Sequence, residues 1–297
     1  MRMARKLRQT IFWNFFILRY RNRRKRTQDH RLRKCLKRVR DTWRSKKLSL
    51  HLSRERHHSE LTLIDYPIGY ILKPRVKDFS HLSEREQLVM SMADMTGIQT
   101  VPRALIKKGN TYANIAKRIN RIIKGNDVQK IFMEDFCQLD MRLTADKYKG
   151  SYERCAKIIK RYSSQASLDI SEQFRRFVFV FVIGNSNMHL KNFSLVESEK
   201  GYVLSKAYDL LPVNLLMPSD KEEFASTMNG KKTHIRKKDF LAFAKEFDIP
   251  IAATQKMISN MLSRKEEYID MIKDSFLPLD EKKRFIELLN VRLRVLE

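Results

Sequence analysis

The chain has 297 residues, 42 % of them apolar, and carries a formal net charge of +27. This apolar content excludes a disordered protein, and the length is sufficient for two lobes with a substantial core. The longest uncharged apolar stretch near the start, residues 11–18, is eight residues long and too short to span a bilayer. Charged residues follow it directly, so it is not expected to be a secretory signal. Cys35, Cys137 and Cys155 lack metal-ligand spacing, so we expect a cytoplasmic protein in a reducing compartment, without membrane contact.

The positive charge is concentrated in the first fifty residues, which contain 19 Lys or Arg, two acids and neither Gly nor Pro. Their apolar residues follow no helical or strand period for long. Residues 1–46 are therefore predicted to form a separate, disordered basic segment. Three interpretations stay open: an arm that binds the phosphate backbone of nucleic acid, an amphipathic targeting peptide, and a stretch that was not selected as protein sequence.

The pattern of residues 47–125 predicts a small α+β lobe. Leucines at alternate positions from Leu48 are typical of a half-buried strand. Two hairpins are predicted after it: residues 61–64 with 70–73 around a Pro- and Gly-containing turn, and residues 101–106 with 112–119 around Gly109-Asn110.

Between these hairpins, Ser83-Glu84-Arg85-Glu86 matches a capping box and predicts a helix that begins there and stops at Gly97. Glu86 then has a structural explanation as the acid of the box. Its functional alternative is an ion pair with Lys73, at the end of a predicted strand, where a solvated lysine is the simpler interpretation. The predicted buried face of the helix consists of Leu88, Val89, Met92 and Ala93.

Residues 126–297 predict a mainly helical lobe. Apolar residues at helical spacing from Phe174 to Val182 predict a buried helix despite their high strand propensity. The other predicted elements are helices at 132–139, 151–162, 240–247, 252–276 and 280–296, and a hairpin of 193–196 with 202–205.

Polar side chains cluster directly after that buried helix, in Gly184-Asn185-Ser186-Asn187-Met188-His189-Leu190-Lys191-Asn192. A little further on, Asp209 is a single acid between apolar neighbours. Buried polar groups need partners, and two polar clusters at the ends of apolar segments are what a phosphate-and-metal site requires. A polar turn whose groups satisfy one another is the alternative.

Six motifs occur in an order that resembles the HipA-like toxin kinases, in particular the short forms that carry only the kinase part. The resemblance covers about residues 47–250. The motifs are Tyr70-Ile71-Leu72-Lys73-Pro74, Glu84-Arg85-Glu86, Met133-Glu134-Asp135-Phe136-Cys137-Gln138, Lys147-Tyr148-Lys149-Gly150-Ser151-Tyr152-Glu153, the stretch from Gly184 to Ser194, and Ala207-Tyr208-Asp209-Leu210-Leu211-Pro212.

The resemblance implies a bilobal, protein-kinase-like fold and ATP-dependent phosphorylation of Ser or Thr on a protein, within a toxin–antitoxin module. Family substrates are translation-related, notably aminoacyl-tRNA synthetases, and a DNA-binding antitoxin is the implied partner. Direct contact of this chain with nucleic acid is then not expected. Lys73 would hold the ATP phosphates, Glu86 would orient Lys73, and Lys117 and Arg118 begin the family's hinge pattern at the cofactor site.

The resemblance also implies a metal pair and a catalytic loop. Asn192 and Asp209 would hold Mg²⁺ through oxygen atoms, which a hard cation prefers. The base of the family lies at position 187, five residues before the metal-binding asparagine, and the same loop contributes His189 and Lys191.

Position 187 departs from the family, which has Asp there. A neutral amide cannot accept the proton of the substrate hydroxyl, so we expect a loss of about 10²–10⁴ in rate from Asn187 alone. The hinge pattern has Ile119 and Asn120 in place of an aromatic residue and an acid, and Phe132 replaces a histidine.

The phosphate-binding loop departs further. The family carries Gly-Val-Gln-Lys-Lys-Leu-Ser-Leu, whereas this chain has Trp43-Arg44-Ser45-Lys46-Lys47-Leu48-Ser49-Leu50. One codon set for Trp-Arg-Ser-Lys, TGG CGT TCA AAA, encodes Gly-Val-Gln when it is read one nucleotide later. We therefore hypothesise that residues 1–46 are translated out of frame. A gene sequence across codons 40–50 that is incompatible with Gly-Val-Gln in a shifted frame would exclude this hypothesis.

Three functions therefore compete. The first is a Ser/Thr kinase toxin, impaired by Asn187 and by the altered phosphate loop. The second is a catalytically dead pseudokinase that binds an antitoxin or another partner. The third is a nucleic-acid binder that uses the basic segment.

Overall fold

The computed structural model describes residues 18–19, 48–55, 58–62, 69–75, 79–109, 111–124 and 127–297. The predicted basic segment and the altered phosphate loop therefore lie almost entirely outside the described residues. Contacts divide the chain into two compact units, Met1–Gln87 with Pro102–Gln129 and Leu88–Val101 with Lys130–Glu297. The predicted domain boundaries near residues 46 and 125 stay predictions.

Six strands of the first unit form one sheet in the order β1-β5-β6-β4-β2-β3. All its pairs are antiparallel except the pair of β1 with β5. Ile115 is buried on one face of the sheet, against Tyr70, Leu72, Ala104 and Ile106. The strands are β1 (Leu18–Arg19), β2 (Leu48–Glu55), β3 (His58–Thr62), β4 (Tyr70–Lys73), β5 (Arg103–Lys108) and β6 (Thr111–Lys117). A separate two-stranded sheet follows, β7 (Arg121–Lys124) with β8 (Asp127–Lys130).

The predicted pairing of residues 61–64 with 70–73 is wrong, because β2 lies between β3 and β4. One half of β2 pairs with β4 and the other half pairs with β3. The long β2 offers hydrogen-bonding groups on both edges, so β3 and β4 each pair with β2 instead of with one another. The second predicted hairpin is confirmed as β5 with β6.

The predicted helix is α1 (Leu82–Met95), and its predicted apolar face is buried. The predicted capping box is wrong. The helix begins before Ser83, and the amide of Arg85 donates to the carbonyl of His81 at 3.0 Å, which places Ser83 inside the first turn. Glu86 therefore does not act as the acid of a cap.

The second unit packs helices around aromatic residues of one long helix, α4. Its phenylalanines are buried, and the ring of Phe177 stacks on Tyr152 with 4.1 Å between centroids. Burial of such large rings contributes much of the core stability. The helices are α2 (Phe136–Leu139), α3 (Tyr152–Tyr162), α4 (Ala166–Val182), α5 (Val213–Leu216), α6 (Lys237–Glu246), α7 (Ile251–Ser263), α8 (Lys265–Lys273) and α9 (Leu279–Leu296).

Two predicted helices of this unit need correction. Residues 132–139 contain strand β9 (Met133–Asp135) followed by α2, because β9 adds to the hairpin of β10 (Ser194–Ser198) with β11 (Gly201–Leu204). Asp135 then caps α2 by accepting from the amide of Gln138 at 2.9 Å. The predicted helix at 252–276 is two helices, α7 and α8, which meet at Arg264.

The chain is thus an α+β protein with a sheet-rich first unit and a mainly helical second unit, as predicted. Within the described ranges, we find no helix with the length and apolarity needed to cross a membrane.

Candidate active site

In the first unit, Lys73 and Glu86 form an ion pair with 2.6 Å between Nζ and Oε1. Lys73 is the last residue of β4, and Glu86 lies in the second turn of α1. The side chains are only 20 % and 6 % exposed, so the pair is largely removed from water. The predicted ion pair is therefore present, whereas its part in nucleotide binding stays a prediction.

The two basic residues of the hinge pattern are held by backbone hydrogen bonds. The amide of Lys117 donates to Pro102 and that of Arg118 donates to Gly69, each at 2.8 Å. Burial and the nearby charge of Arg121 lower the pKa of Arg118. Lys117 pairs with Tyr70, three residues from Lys73, so Lys117 and Lys73 point to opposite faces of the sheet. The structure does not bring these two lysines together.

In the second unit, the polar loop begins at the end of α4, where Gly184 turns the chain with φ +66°. A Cβ atom at this position would lie 2.7 Å from Cδ2 of Leu288. The left-handed conformation favours glycine here, and a side chain would also have to displace the end of Leu288. The residues from Asn185 to Asn192 follow directly after this turn.

Asn187 is held by three hydrogen bonds. Its Oδ1 accepts from the hydroxyl of Tyr148 at 2.6 Å, its backbone N–H donates to Oδ1 of Asn185 at 3.2 Å, and its backbone carbonyl accepts from the N–H of His189 at 2.9 Å. Burial raises the pKa of Tyr148, so the phenol stays protonated and remains a donor at neutral pH. The amide oxygen of Asn187 is therefore already engaged.

His189 is buried beside the same tyrosine. Its ring meets the ring of Tyr148 edge-on, with 4.9 Å between centroids. Burial, followed by the positive charge of Lys147, lowers the pKa of His189 to about 4, so its imidazole is neutral at pH 7. Its Nδ1 atom has no hydrogen-bond partner in the part of the chain that the structure describes.

Lys191 forms an ion pair with Asp135, with 2.8 Å between Nζ and Oδ2. The other carboxylate oxygen of Asp135 caps α2. Asp135 therefore ties the polar loop to β9 and α2, and it fixes the direction of the lysine side chain.

Asn192 ends a 3₁₀ turn, Leu190–Asn192. Its Oδ1 is buried and accepts no hydrogen bond from any residue the structure describes, which leaves an oxygen ligand available to a cation. Asp209 adopts a left-handed conformation, φ +55°, which is uncommon for a residue other than glycine and occurs more often at functional sites. The two residues supply the oxygen atoms that Mg²⁺ prefers, so they fit that ion. No cluster of three or more His, Cys, Asp or Glu side chains suited to a metal occurs among the described residues.

The Asp209 loop is anchored on two sides. The hydroxyl of Tyr208 bonds to Oγ of Ser194 at 2.6 Å and to the carbonyl of Lys191 at 3.3 Å. On the other side, Ala207 exchanges backbone hydrogen bonds with Gln99 and Val101. Tyr208 thus joins the Asp209 loop to the polar loop that ends at Asn192.

Sequence reasoning assigned no role to Tyr148, Asp135 or Asn185. Tyr148 and Asp135 lie within two of the six motifs. Those motifs indicated that the region is functional, but not which residues Tyr148 and Asp135 contact. Asn185 lies in the catalytic motif itself. Only the folded chain shows that each of the three holds a residue of the polar loop.

Tyr208→Phe is expected to lower the free energy of unfolding by about 1–2 kcal/mol, because the buried hydroxyl of Ser194 loses its partner. Urea unfolding measures the change. Tyr202→Phe is the matched control, since its ring is 45 % exposed. Equal stability of the two variants would contradict the anchoring role of Tyr208.

Comparison with known proteins identifies the family. Residues 45–269 match the model of the HipA-like C-terminal domain. The chain belongs to the HipA-like kinase family. This HipA-like protein is 26 % identical over 208 residues to "Putative kinase Y4mE" of Sinorhizobium fredii, covering 67 % of this chain and 49 % of that protein. It is 25 % identical over 239 residues to a "Putative kinase" of Haemophilus influenzae, covering 71 % and 69 %. The HipA-like protein thus spans about half the length of Y4mE and about two thirds of the Haemophilus protein.

Solved structures support the fold. The Shewanella oneidensis HipA chain, in a complex with HipB and operator DNA, superposes with a TM-score of 0.72 at 18 % identity, covering 88 % of this chain and 70 % of that one. The Helicobacter pylori proinflammatory kinase CtkA superposes with a TM-score of 0.56 at 14 % identity, covering 79 % and 90 %. The HipA-like protein therefore has a kinase-like fold, and family and fold together support a kinase-type function.

Proposed function

We propose that this HipA-like protein binds ATP and Mg²⁺ with the architecture of a Ser/Thr protein kinase, and that its phosphoryl transfer is impaired at the base. Asn187 carries this proposal. It occupies the position of the base in the resembling kinases, and its only amide oxygen accepts a hydrogen bond from Tyr148.

The roles of the other residues follow from their chemistry. Lys73 supplies a positive charge for the ATP phosphates, and its partner Glu86 keeps the ammonium in one place. Asn192 and Asp209 hold Mg²⁺, which, when bound, neutralises charge on the transferred phosphoryl group. Because His189 is neutral at pH 7, it adds no positive charge to that stabilisation.

The substrate hydroxyl must lose a proton during transfer. The nitrogen of the Asn187 amide can donate a hydrogen bond to that hydroxyl and orient it, but the amide cannot accept the proton. Tyr148 does not substitute as a base, because its raised pKa keeps the phenol protonated. Slow transfer is therefore the expected behaviour of the wild-type chain.

The wider role that we propose is that of a toxin in a toxin–antitoxin module. Its substrate would be a translation-related protein, such as an aminoacyl-tRNA synthetase, and its partner a DNA-binding antitoxin. The Shewanella HipA chain occurs in a complex with HipB and operator DNA, which supports a partner of this kind.

A catalytically dead pseudokinase that binds the antitoxin or another partner is the second candidate, and the same Asn187 favours it. The basic segment does not enter either proposal. The family match begins at residue 45, so it leaves out almost all of that segment. Salt-dependent DNA binding that disappears when residues 1–46 are deleted would instead favour the nucleic-acid binder.

Mg-ATP is expected to raise the melting temperature of the full chain, and EDTA is expected to remove most of this shift. Mg²⁺ should strengthen ATP binding at least about tenfold less in Asp209→Asn than in wild type. Mutating residues that only support a metal ligand already lowers metal affinity by about this factor. Isothermal titration with ATP, with and without Mg²⁺, measures it.

Asp248→Asn is the matched control for that variant. Asp248 has a similar backbone conformation, φ +57°, and an exposed side chain. The Asp248→Asn variant should bind Mg-ATP as wild type does. If the melting temperature of wild type did not respond to Mg-ATP, the proposed nucleotide binding would be contradicted. The pseudokinase that binds a partner would then be the remaining candidate.

A further inference from the structure

Asn114, in the middle of strand β6, is a polar residue with an unusual environment. It is only 1 % exposed, yet neither Oδ1 nor Nδ2 has a hydrogen-bond partner among the residues described. Its neighbours in the strand, Ala113, Ile115 and Ala116, are apolar. Nothing in the local sequence pattern explains an amide at this position.

The register places Asn114 directly opposite Lys73 on β4 and opposite Leu105 on β5. Residues that face each other across antiparallel strands project from the same side of the sheet, with Cβ atoms about 4.5–5.5 Å apart. Asn114 therefore lies next to Lys73, on the sheet face that carries the Lys73–Glu86 ion pair. Ile115 and its apolar cluster lie on the other face.

An amide without partners is costly in this position. Buried polar groups in native proteins are nearly always hydrogen-bonded, and an apolar residue of similar size would make the strand more stable. Residues that lower stability in this way are common where function requires them. The unpaired amide therefore indicates a ligand that supplies its missing partners.

We propose that Asn114 binds the nucleobase of the nucleotide whose phosphates Lys73 holds. This inference rests on the proposed ATP binding. The amide presents one donor and one acceptor side by side, and asparagine pairs in this way with the amino group and a ring nitrogen of adenine. A phosphate oxygen could accept from Nδ2 but would leave Oδ1 without a donor, and Lys73 already supplies the positive charge that a phosphate requires.

Because Asn114 is only 1 % exposed in the chain without ligand, the base can contact the amide only after the surrounding side chains change rotamer. Such changes are common at binding surfaces. The same burial means that Asn114 does not bind the base alone.

Asn114→Leu separates the two possible roles of this residue. If the amide binds the nucleobase, the variant without ligand should melt at the same temperature as wild type or higher. Its Kd for Mg-ATP should rise about 10- to 100-fold. If the amide instead serves the fold, through a buried water molecule, the variant should melt at a lower temperature and keep the wild-type Kd. The second result would overturn the proposal.

Three probes identify which part of the nucleotide contacts Asn114: Mg-ATP, adenosine and inorganic tripolyphosphate. Asn114→Leu should weaken binding of the first two and leave binding of tripolyphosphate unchanged. Equal weakening of tripolyphosphate binding would show that the phosphates are affected, and would also overturn the proposal.

Two further variants complete the experiment. Asn114→Ala removes the amide without adding volume, and it gives the same ligand test if the leucine variant does not fold. Ile115→Val, next in the strand but on the opposite face, should leave all three affinities unchanged.

If wild type itself binds no ATP, the proposed function fails. If wild type binds ATP and Asn114→Leu binds it equally well, only the role of Asn114 fails.

Discussion

Asn187→Asp is expected to raise the rate of phosphoryl transfer by about 10²–10⁴, the usual contribution of a positioned base. The substituted carboxylate can accept the proton of the substrate hydroxyl, which the amide cannot. Tyr148 already donates to this position at 2.6 Å, so the hydrogen bond would orient the carboxylate without rearrangement. Autophosphorylation with radiolabelled ATP measures the rate, since it requires no knowledge of the protein substrate.

The pH dependence of this variant has a definite sign. A base must be deprotonated to act, so activity falls as the pH drops through its pKa. A hydrogen bond from Tyr148 stabilises the charged carboxylate and lowers that pKa below about 3.9, the ordinary value for aspartate. Adding Tyr148→Phe removes the donor, and the acid limb of the profile should then move to higher pH.

Two outcomes would contradict this interpretation of Asn187. Robust transfer by the wild-type chain would show that the amide does not limit the reaction. Binding of Mg-ATP by the variant without any gain in rate would show that another departure limits it, and the altered phosphate loop around Ser45 would be the first to restore.

Lys73→Met is expected to abolish detectable ATP binding and to lower the free energy of unfolding by about 3–5 kcal/mol. The stability loss arises because the substitution leaves the carboxylate of Glu86, 6 % exposed, without its ammonium partner, and breaking a buried ion pair from one side has a cost of this size. Urea unfolding and ATP titration measure the two effects separately.

The double variant Lys73→Met/Glu86→Gln separates stability from function. It removes the buried charge, so it should regain most of the lost stability while ATP binding stays absent. Lys273→Met is the control for an exposed pair. Lys273 and Asp270 lie 3.6 Å apart with side chains 60 % and 72 % exposed, so this change should cost less than about 0.5 kcal/mol. A stable Lys73→Met variant that still binds ATP would contradict the assignment of Lys73.

The long helices could be predicted because the spacing of their apolar residues repeats over several turns. The apolar spacing from Phe174 to Val182 repeats every turn, and burial of that one stripe requires a helix. Short elements failed for the opposite reason. Residues 133–135 are too few to show a period, and they become a strand only because β10 offers an edge to pair with.

Strand partners were harder to predict than strands. Each strand around Leu48 was expected from its composition, but a strand has two edges, and its sequence does not say which neighbour takes each one. The turn signal at Pro67 and Gly69 favoured a local hairpin. The six-stranded sheet instead places β2 between β3 and β4, because both edges of a long strand need hydrogen-bond partners.

The polar loop from Asn185 to Asn192 shows the same division at the level of single residues. Motif spacing predicted roles for Asn187, Asn192 and Asp209, because the chemistry of phosphoryl transfer constrains residue types along a short stretch of chain. The contacts that hold them come from distant positions. Tyr148 and Asp135 reach the loop from 39 and 56 residues away, and no local pattern encodes such pairs.

Residue type and spacing along the chain were therefore enough to identify the family and the kinase-like fold, whereas the loss of the base at position 187 stays a prediction. Tertiary structure alone decided which groups are paired. It joined Lys73 to Glu86 and Tyr148 to Asn187, and it left the amide of Asn114, beside Lys73, without a partner among the described residues. The physical reason is that hydrogen bonding and burial depend on neighbours in space, which the order of residues specifies only through the completed fold.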